Sequence, residues 1–85
     1  MNKKLEAKLK TLPRSAGVYF HKSKSGEIIY IGKAAVLKNR VRQYFQNIKD
    51  KDVKTQALVA EITDVDWIET ESELDALFLE SEMLS

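Results

Sequence analysis

Two triplets constrain this chain more than anything else in it: Gly17-Val18-Tyr19 and Tyr30-Ile31-Gly32, the second followed directly by Lys33. Each has its glycine outermost and its tyrosine innermost, and the polar stretch between them ends in Ser25-Gly26. β-Branched and aromatic residues flank that stretch, so the pattern predicts a β-hairpin with strands over 17–22 and 27–31. A four-residue loop at 23–26 pairs Lys22 with Glu27, Tyr19 with Tyr30 and Gly17 with Gly32. Tyr19, His21, Ile28 and Tyr30 then share one face, and Val18, Phe20, Ile29 and Ile31 the other. A glycine at the outer end of each strand is where a backbone turns or lets another group come close.

The rest of the chain reads as helices around that hairpin. Leu5, Leu9 and Leu12 make the apolar stripe of a short helix over 2–11, which Pro13 ends. A second helix is expected from Ala34 to Gln46, with Leu37, Val41, Tyr44 and Ile48 inward, Lys38 and Arg42 outward and Arg40 on the shoulder. Residues 47–52 are a polar loop whose Asp52 caps a helix to Ile62, with Val53, Ala57, Leu58 and Ile62 inside. Val65 to Thr70 is a third strand, and its Trp67 reads as core. Thr70 and Glu73 fit a capping box for a final helix with Leu74, Leu77, Phe78 and Leu84 inward and Glu80 bordering that stripe. The fold class is therefore α/β (α+β): a small three-stranded, mainly antiparallel sheet flanked by helices.

Eighty-five residues allow one domain, and the final helical pattern runs out without a C-cap glycine, as in a domain excised from a longer multidomain protein. The 44% hydrophobic content and mean hydropathy of −0.35 indicate a soluble globular chain rather than a disordered one. There is no cysteine and only one histidine, His21, which excludes a disulfide framework, a thiolate zinc site and a multi-histidine metal centre. No apolar run is long enough to span a membrane, and the N-terminus lacks the apolar core of a signal peptide, so a cytoplasmic location is expected. The net charge of +1 conceals an asymmetry: residues 1–54 carry +10 and residues 55–85 carry −9. A basic first part suits a polyanion and an acidic second part suits a cation, although two solvated faces that attract each other would look the same.

The ordered set Gly-Val-Tyr, Tyr-Ile-Gly-Lys, an Arg eight residues beyond the second glycine, a Tyr one turn later and a Glu in a later amphipathic helix resembles the GIY-YIG nuclease family. The likeness is greatest to its UvrC branch, through Leu12 to Phe20, Tyr30 to Phe45 and Asp75 to Leu84. Ala16 stands where that branch commonly has proline, and Asp75 where it has glutamate. An Asn that follows the final helix in the family lies past Ser85, which implies lower activity for the domain alone.

The resemblance implies a GIY-YIG endonuclease fold, a monomeric domain and hydrolysis of a DNA phosphodiester on the 3′ side of a lesion, with Mg²⁺ (or Mn²⁺) as cofactor. Its implied partners are lesion-bearing double-stranded DNA and the damage-recognition and loader subunits UvrA and UvrB. Glu80 is the implied metal ligand, in keeping with Mg²⁺ taking one or two carboxylates and keeping its waters. Tyr30 is the implied general base; a free phenol, with pKa about 10, needs Lys33, Arg40 and the ion to favour its phenolate. Arg40 is the phosphate clamp, Tyr19 orients Tyr30, and Tyr44 positions the nucleophile or a phosphate. Gly32 and Lys33 are expected where a strand gives way to a helix, with free amides for an anion. Lys22, Lys24, Lys38 and Arg42 are candidate contacts to the DNA backbone, and His21 reads as structural. The alternatives are a stand-alone or fused nuclease of the same family acting on junctions or foreign DNA, and a nucleic-acid-binding module of the same fold without catalysis.

Overall fold

β1 (Gly17–Lys22) is the centre of a fully antiparallel sheet, with β2 (Ile28–Ala34) on one side and β3 (Asp64–Glu69) on the other. The computed structural model describes every residue from Met1 to Ser85. Four helices surround the sheet: α1 (Lys3–Lys10), α2 (Leu37–Gln43), α3 (Val53–Glu61) and α4 (Glu73–Leu84), with a 3₁₀ turn at Ile48–Asp50 ahead of α3.

The hairpin forms where the triplets predict it, but in another register. Ser23 N donates to Glu27 O at 2.9 Å, which closes the loop one residue later than a four-residue turn. Gly26 supplies the left-handed conformation that this loop needs, at φ +87°. Lys22 pairs with Ile28 and His21 with Tyr30, so Ile29 is an unpaired bulge residue. The two steps together shift the pairing by two. Tyr19 faces Gly32, Gly17 faces Ala34, and Tyr30 sits opposite His21 rather than opposite Tyr19. A shift of two preserves the alternation of faces, so Tyr30 stays on the side of Tyr19. Ile29, displaced by the bulge, packs with the core on that side instead of joining Val18 and Phe20.

The two faces of the sheet carry separate cores. On one, Tyr19, Ala34 and Val65 pack with Leu5 and Leu9 of α1, Leu12, Leu37 and Val41 of α2, and Ile62. Each fully buried aliphatic side chain there contributes about 1.5–3 kcal/mol. On the other, Val18 and Phe20 pack under Ala76 and Leu79 of α4, with Ile31 beside them.

α1 follows its leucine stripe and is capped by Asn2, whose Oδ1 accepts from Leu5 N at 2.7 Å. α3 is capped by Asp52 as expected, but it buries Val59 rather than Val53, which is 82% exposed. α2 is shorter than its periodicity suggests, because β2 runs on through Ala34 and Ile48 falls outside it, exposed in the 3₁₀ turn. α4 differs most. Its N-cap is Ser72, which accepts from Asp75 N at 3.1 Å; Thr70 donates instead to Ser72 O. The side facing the sheet carries Ala76 and Leu79, while Leu74 (60% exposed), Phe78 (61%), Leu77 and Leu84 face solvent. Leucines and a phenylalanine lie on nearly every side of this helix, so periodicity does not choose a face. The small Ala76 does, by letting the helix axis approach the strands.

Candidate active site

Tyr19 is the base of the site. It points from the central strand into the larger core, is 2% exposed, and lays its ring directly over Gly32. A Cβ at position 32 would overlap the Tyr19 ring, so of the two reasons for a glycine there, a turn or a close approach, the second triplet has the close approach of a side chain. The Tyr19 hydroxyl lies 2.7 Å from that of Tyr44, which α2 brings down onto the sheet at its C-terminus. The two rings meet edge to face, with centroids 5.8 Å apart.

Tyr30 completes the group from the edge strand β2, with its ring 6.2 Å from that of Tyr19 and 6.1 Å from that of Tyr44. It is 43% exposed, the member of the cluster that solvent reaches. Burial, with the hydrogen bond to Tyr44 next, pushes the Tyr19 phenol far above its ordinary range. Burial also raises that of Tyr44, against its hydrogen bond with Tyr19 and, more weakly, the charge of Arg40. Both phenols therefore remain protonated at neutral pH and act as hydrogen-bonding groups rather than bases.

His21 lies between them. It is fully buried, its ring edge-on to Tyr44 at 4.5 Å and stacked with Tyr30 at 6.1 Å. Neither ring nitrogen has a hydrogen-bond partner, and burial lowers its pKa to about 4, so the imidazole is neutral at pH 7. Its place on the tyrosine side of the hairpin was readable from strand alternation; its contact with Tyr44 depends on α2 and was not.

Arg40 stands exposed on α2, and its charge acts on both Tyr19 and Tyr44. It makes none of the protein's ion pairs, which join Lys8 to Asp64 and Asp66, Lys22 to Asp66, and Lys33 to Glu73. The guanidinium is thus not engaged by the acidic C-terminal part. Beside it a hollow of about 210 Å³ is lined by Arg40, Gln43, Tyr44, Lys51 and Thr55.

Glu80 and Lys33 are on the other side of the sheet. α4 covers the face of Val18 and Phe20, and Lys33 reaches Glu73 of that helix at 3.5 Å. Glu80 lies one turn beyond Ala76 on the same stripe, half-buried and without an ion pair. The candidate residues thus lie about the edge strand β2, with Tyr30 and Arg40 toward one face and Glu80, on α4, toward the other.

No group of three or more His, Cys, Asp or Glu residues is arranged to hold a metal. A single half-buried, unpaired carboxylate is still a sufficient protein donor for a largely hydrated Mg²⁺ or Mn²⁺ that also takes phosphate oxygens.

One expectation needs correction. The amides expected to greet an anion after Gly32 and Lys33 are not free: the strand continues, and Leu37 N and Lys38 N donate to Ser15 O and Pro13 O. Lys22 is held by Asp66 at 3.1 Å. Of the other candidate DNA-backbone contacts, Lys24 is at the hairpin tip and Arg42 lines a hollow with Glu6 and Lys10.

Among known proteins, the UvrC-like GIY-YIG domain family matches residues 15–85. The chain is 52% identical over 84 residues to the UvrABC system protein C of Streptococcus gordonii, covering 99% of this chain and 13% of that protein. It is 51% identical over 79 residues to that of Clostridium beijerinckii, covering 93% and 13%. It therefore spans about an eighth of the length of these curated relatives. The fold matches the GIY-YIG N-terminal endonuclease domain of UvrC from Thermotoga maritima bound to magnesium, its catalytic divalent cation, with a TM-score of 0.83 and 33% identity over 99% of this chain and 90% of that one. A tyrosine-to-phenylalanine point mutant of that domain, also bound to the cation, matches with a TM-score of 0.83 and 32% identity over 99% and 89%.

Proposed function

This chain belongs to the UvrC-like GIY-YIG domain family, and on that footing we propose that it is a divalent-metal-dependent endonuclease domain of nucleotide excision repair, cutting a DNA strand on the 3′ side of a lesion. The observation that carries the reading is the solvent-reached Tyr30 phenol packed against the hydrogen-bonded Tyr19–Tyr44 pair, on which the charge of an Arg40 free of any ion pair acts.

The chemistry follows from those groups. A water oxygen bonds to phosphorus while Tyr30 Oη, in its phenolate form, takes that water's proton; the P–O bond to the leaving strand breaks, and the departing oxygen takes a proton from solvent. Arg40 presents its planar fork to two phosphoryl oxygens, where negative charge accumulates in the transition state. Tyr44, fixed by its bond to Tyr19, sets the wall against which the phosphate rests. Glu80 holds the divalent ion, which when bound supplies Lewis acidity to the phosphate. Lys33, tied to Glu73, keeps a positive charge on the Glu80 side of β2. Lys24, Lys38 and Arg42 contact the flanking backbone without reading sequence.

A domain that reads no sequence needs partners to choose the site, here the other subunits of a UvrABC system acting on damaged duplex in the cytoplasm. Manganese soaked into crystals of the chain tests the metal assignment. Anomalous density at the Glu80 carboxylate, lost in Glu80→Gln, is expected; an ion bound elsewhere overturns it.

A further inference from the structure

The hollow beside Arg40 shares Arg40 and Tyr44 with the mechanism above, but its far wall of Gln43, Lys51 and Thr55 has no part in it. We propose that the hollow is a second phosphate subsite, taking a phosphodiester of the same DNA strand next to the one that is cut, with Lys51 as its principal cation. The proposal rests on the nuclease reading and extends it along the strand.

The lining is Arg40, Gln43, Tyr44, Lys51 and Thr55: two cations, three neutral polar side chains and no carboxylate. Neither cation takes part in an ion pair. The acidic residues beside Lys51 in sequence do not compete for it within the hollow. Asp52 is committed to the cap of α3, where Oδ1 accepts from Thr55 N at 2.6 Å, and neither Asp52 nor Asp50 lines the cavity.

Lys51 is also held in place. Gln56 Nε2 donates to Lys51 O at 2.8 Å and to Lys49 O at 3.3 Å, which pins the turn that carries Lys51, and Lys51 is half-buried where Lys49 and Lys54 stand exposed. A half-buried stem on a fixed backbone leaves the ammonium fewer positions to lose when it binds an anion than a lysine fully in solvent. The hollow shares Tyr44 and Arg40 with the tyrosine cluster, so a phosphate in it adjoins the one at Tyr30.

The test is binding of a labelled DNA duplex to this chain in EDTA, followed by fluorescence anisotropy over a range of salt concentrations. Lys51→Gln is expected to weaken binding about three- to tenfold and to lower the slope of log affinity against log salt by about 0.9, the loss of one phosphate contact. Lys51→Arg is expected to restore both. Lys54→Gln, exposed on α3 outside the hollow, serves as control and should leave the slope within about 0.3 of wild type. A Lys51→Gln variant with wild-type affinity and slope overturns the subsite and leaves the nuclease reading intact. Equal losses for Lys51→Gln and Lys54→Gln overturn it as well, since they mark diffuse attraction. Failure of the unsubstituted chain to bind duplex at low salt overturns the subsite, while the nuclease reading stands or falls on the manganese soak.

Discussion

The hydroxyls of Tyr19 and Tyr44 lie 2.7 Å apart, the one side-chain hydrogen bond that links the central strand to α2. Tyr19 is the more buried partner, so the two truncations differ. Tyr44→Phe leaves the buried Tyr19 hydroxyl without a partner and should cost about 1–3 kcal/mol, whereas Tyr19→Phe leaves a half-buried hydroxyl that water can serve and should cost about 1 kcal/mol. Urea unfolding of both single variants and the double variant gives the coupling, expected at about 1 kcal/mol. Additive losses would mean that the bond holds nothing together.

Gly32 exists for the Tyr19 ring above it. Gly32→Ala places a methyl group inside that ring, and the ring is packed on its other sides by Trp67, His21 and Tyr44 and has little room to yield. Overpacking of this kind should cost about 3 kcal/mol and change the near-ultraviolet circular dichroism of the tyrosine cluster. Gly26→Ala, at a positive φ but in open space, should be milder, about 1 kcal/mol.

His21 makes stability depend on pH. Its folded pKa is about 4 against an ordinary 6.5, so the unfolded chain binds the extra proton between those values. The contribution of the neutral ring is fully present above about pH 6.5 and is lost progressively as pH falls toward 4, by up to about 3 kcal/mol. Denaturant unfolding at pH 7 and pH 4.5 should show this loss, and His21→Phe, which keeps an aromatic ring against Tyr44 and Tyr30, should remove most of it.

The orientation of α4 has its own signature. Ala76→Leu forces a larger side chain between the helix and Val18 and Phe20, and should destabilise by about 2 kcal/mol or more. Leu74→Gln and Phe78→Gln remove apolar groups that already face solvent and should stay within about 0.5 kcal/mol of wild type. The reverse ranking would mean that α4 presents its other side to the sheet.

Much of this was legible in the residues, because each feature rested on a local cause. The hairpin followed from two β-rich runs around Ser25-Gly26, α1 from its leucine stripe, and α3 from the Asp52 cap. What escaped was set by contacts between elements. The register depended on a bulge at Ile29 that no pattern marks. The buried side of α4 was chosen by one alanine against a ring of leucines. The pattern marks Gly32 as a place for a turn or a close approach, but only the packing of Tyr19 says which. Lys51 enters the site region through a turn in which Asn47 adopts φ 50°, an unusual conformation outside glycine that the local sequence does not announce. Of the candidate residues, Tyr19, Tyr30, Tyr44 and Arg40 converge, while Glu80 and Lys33 lie across β2 from them.

The central claim is that Tyr30 and Glu80, on opposite sides of one edge strand, serve a single cleavage reaction. The direct measurement is strand incision on a lesion-containing duplex by the full-length protein that carries this domain, with its partner subunits, as magnesium is titrated. Tyr30→Phe should cut about 10²–10⁴-fold more slowly at any magnesium concentration, while Glu80→Gln should need far more magnesium or fail to cut, both with unchanged circular dichroism. Wild-type incision 3′ to the lesion by either variant would contradict the account.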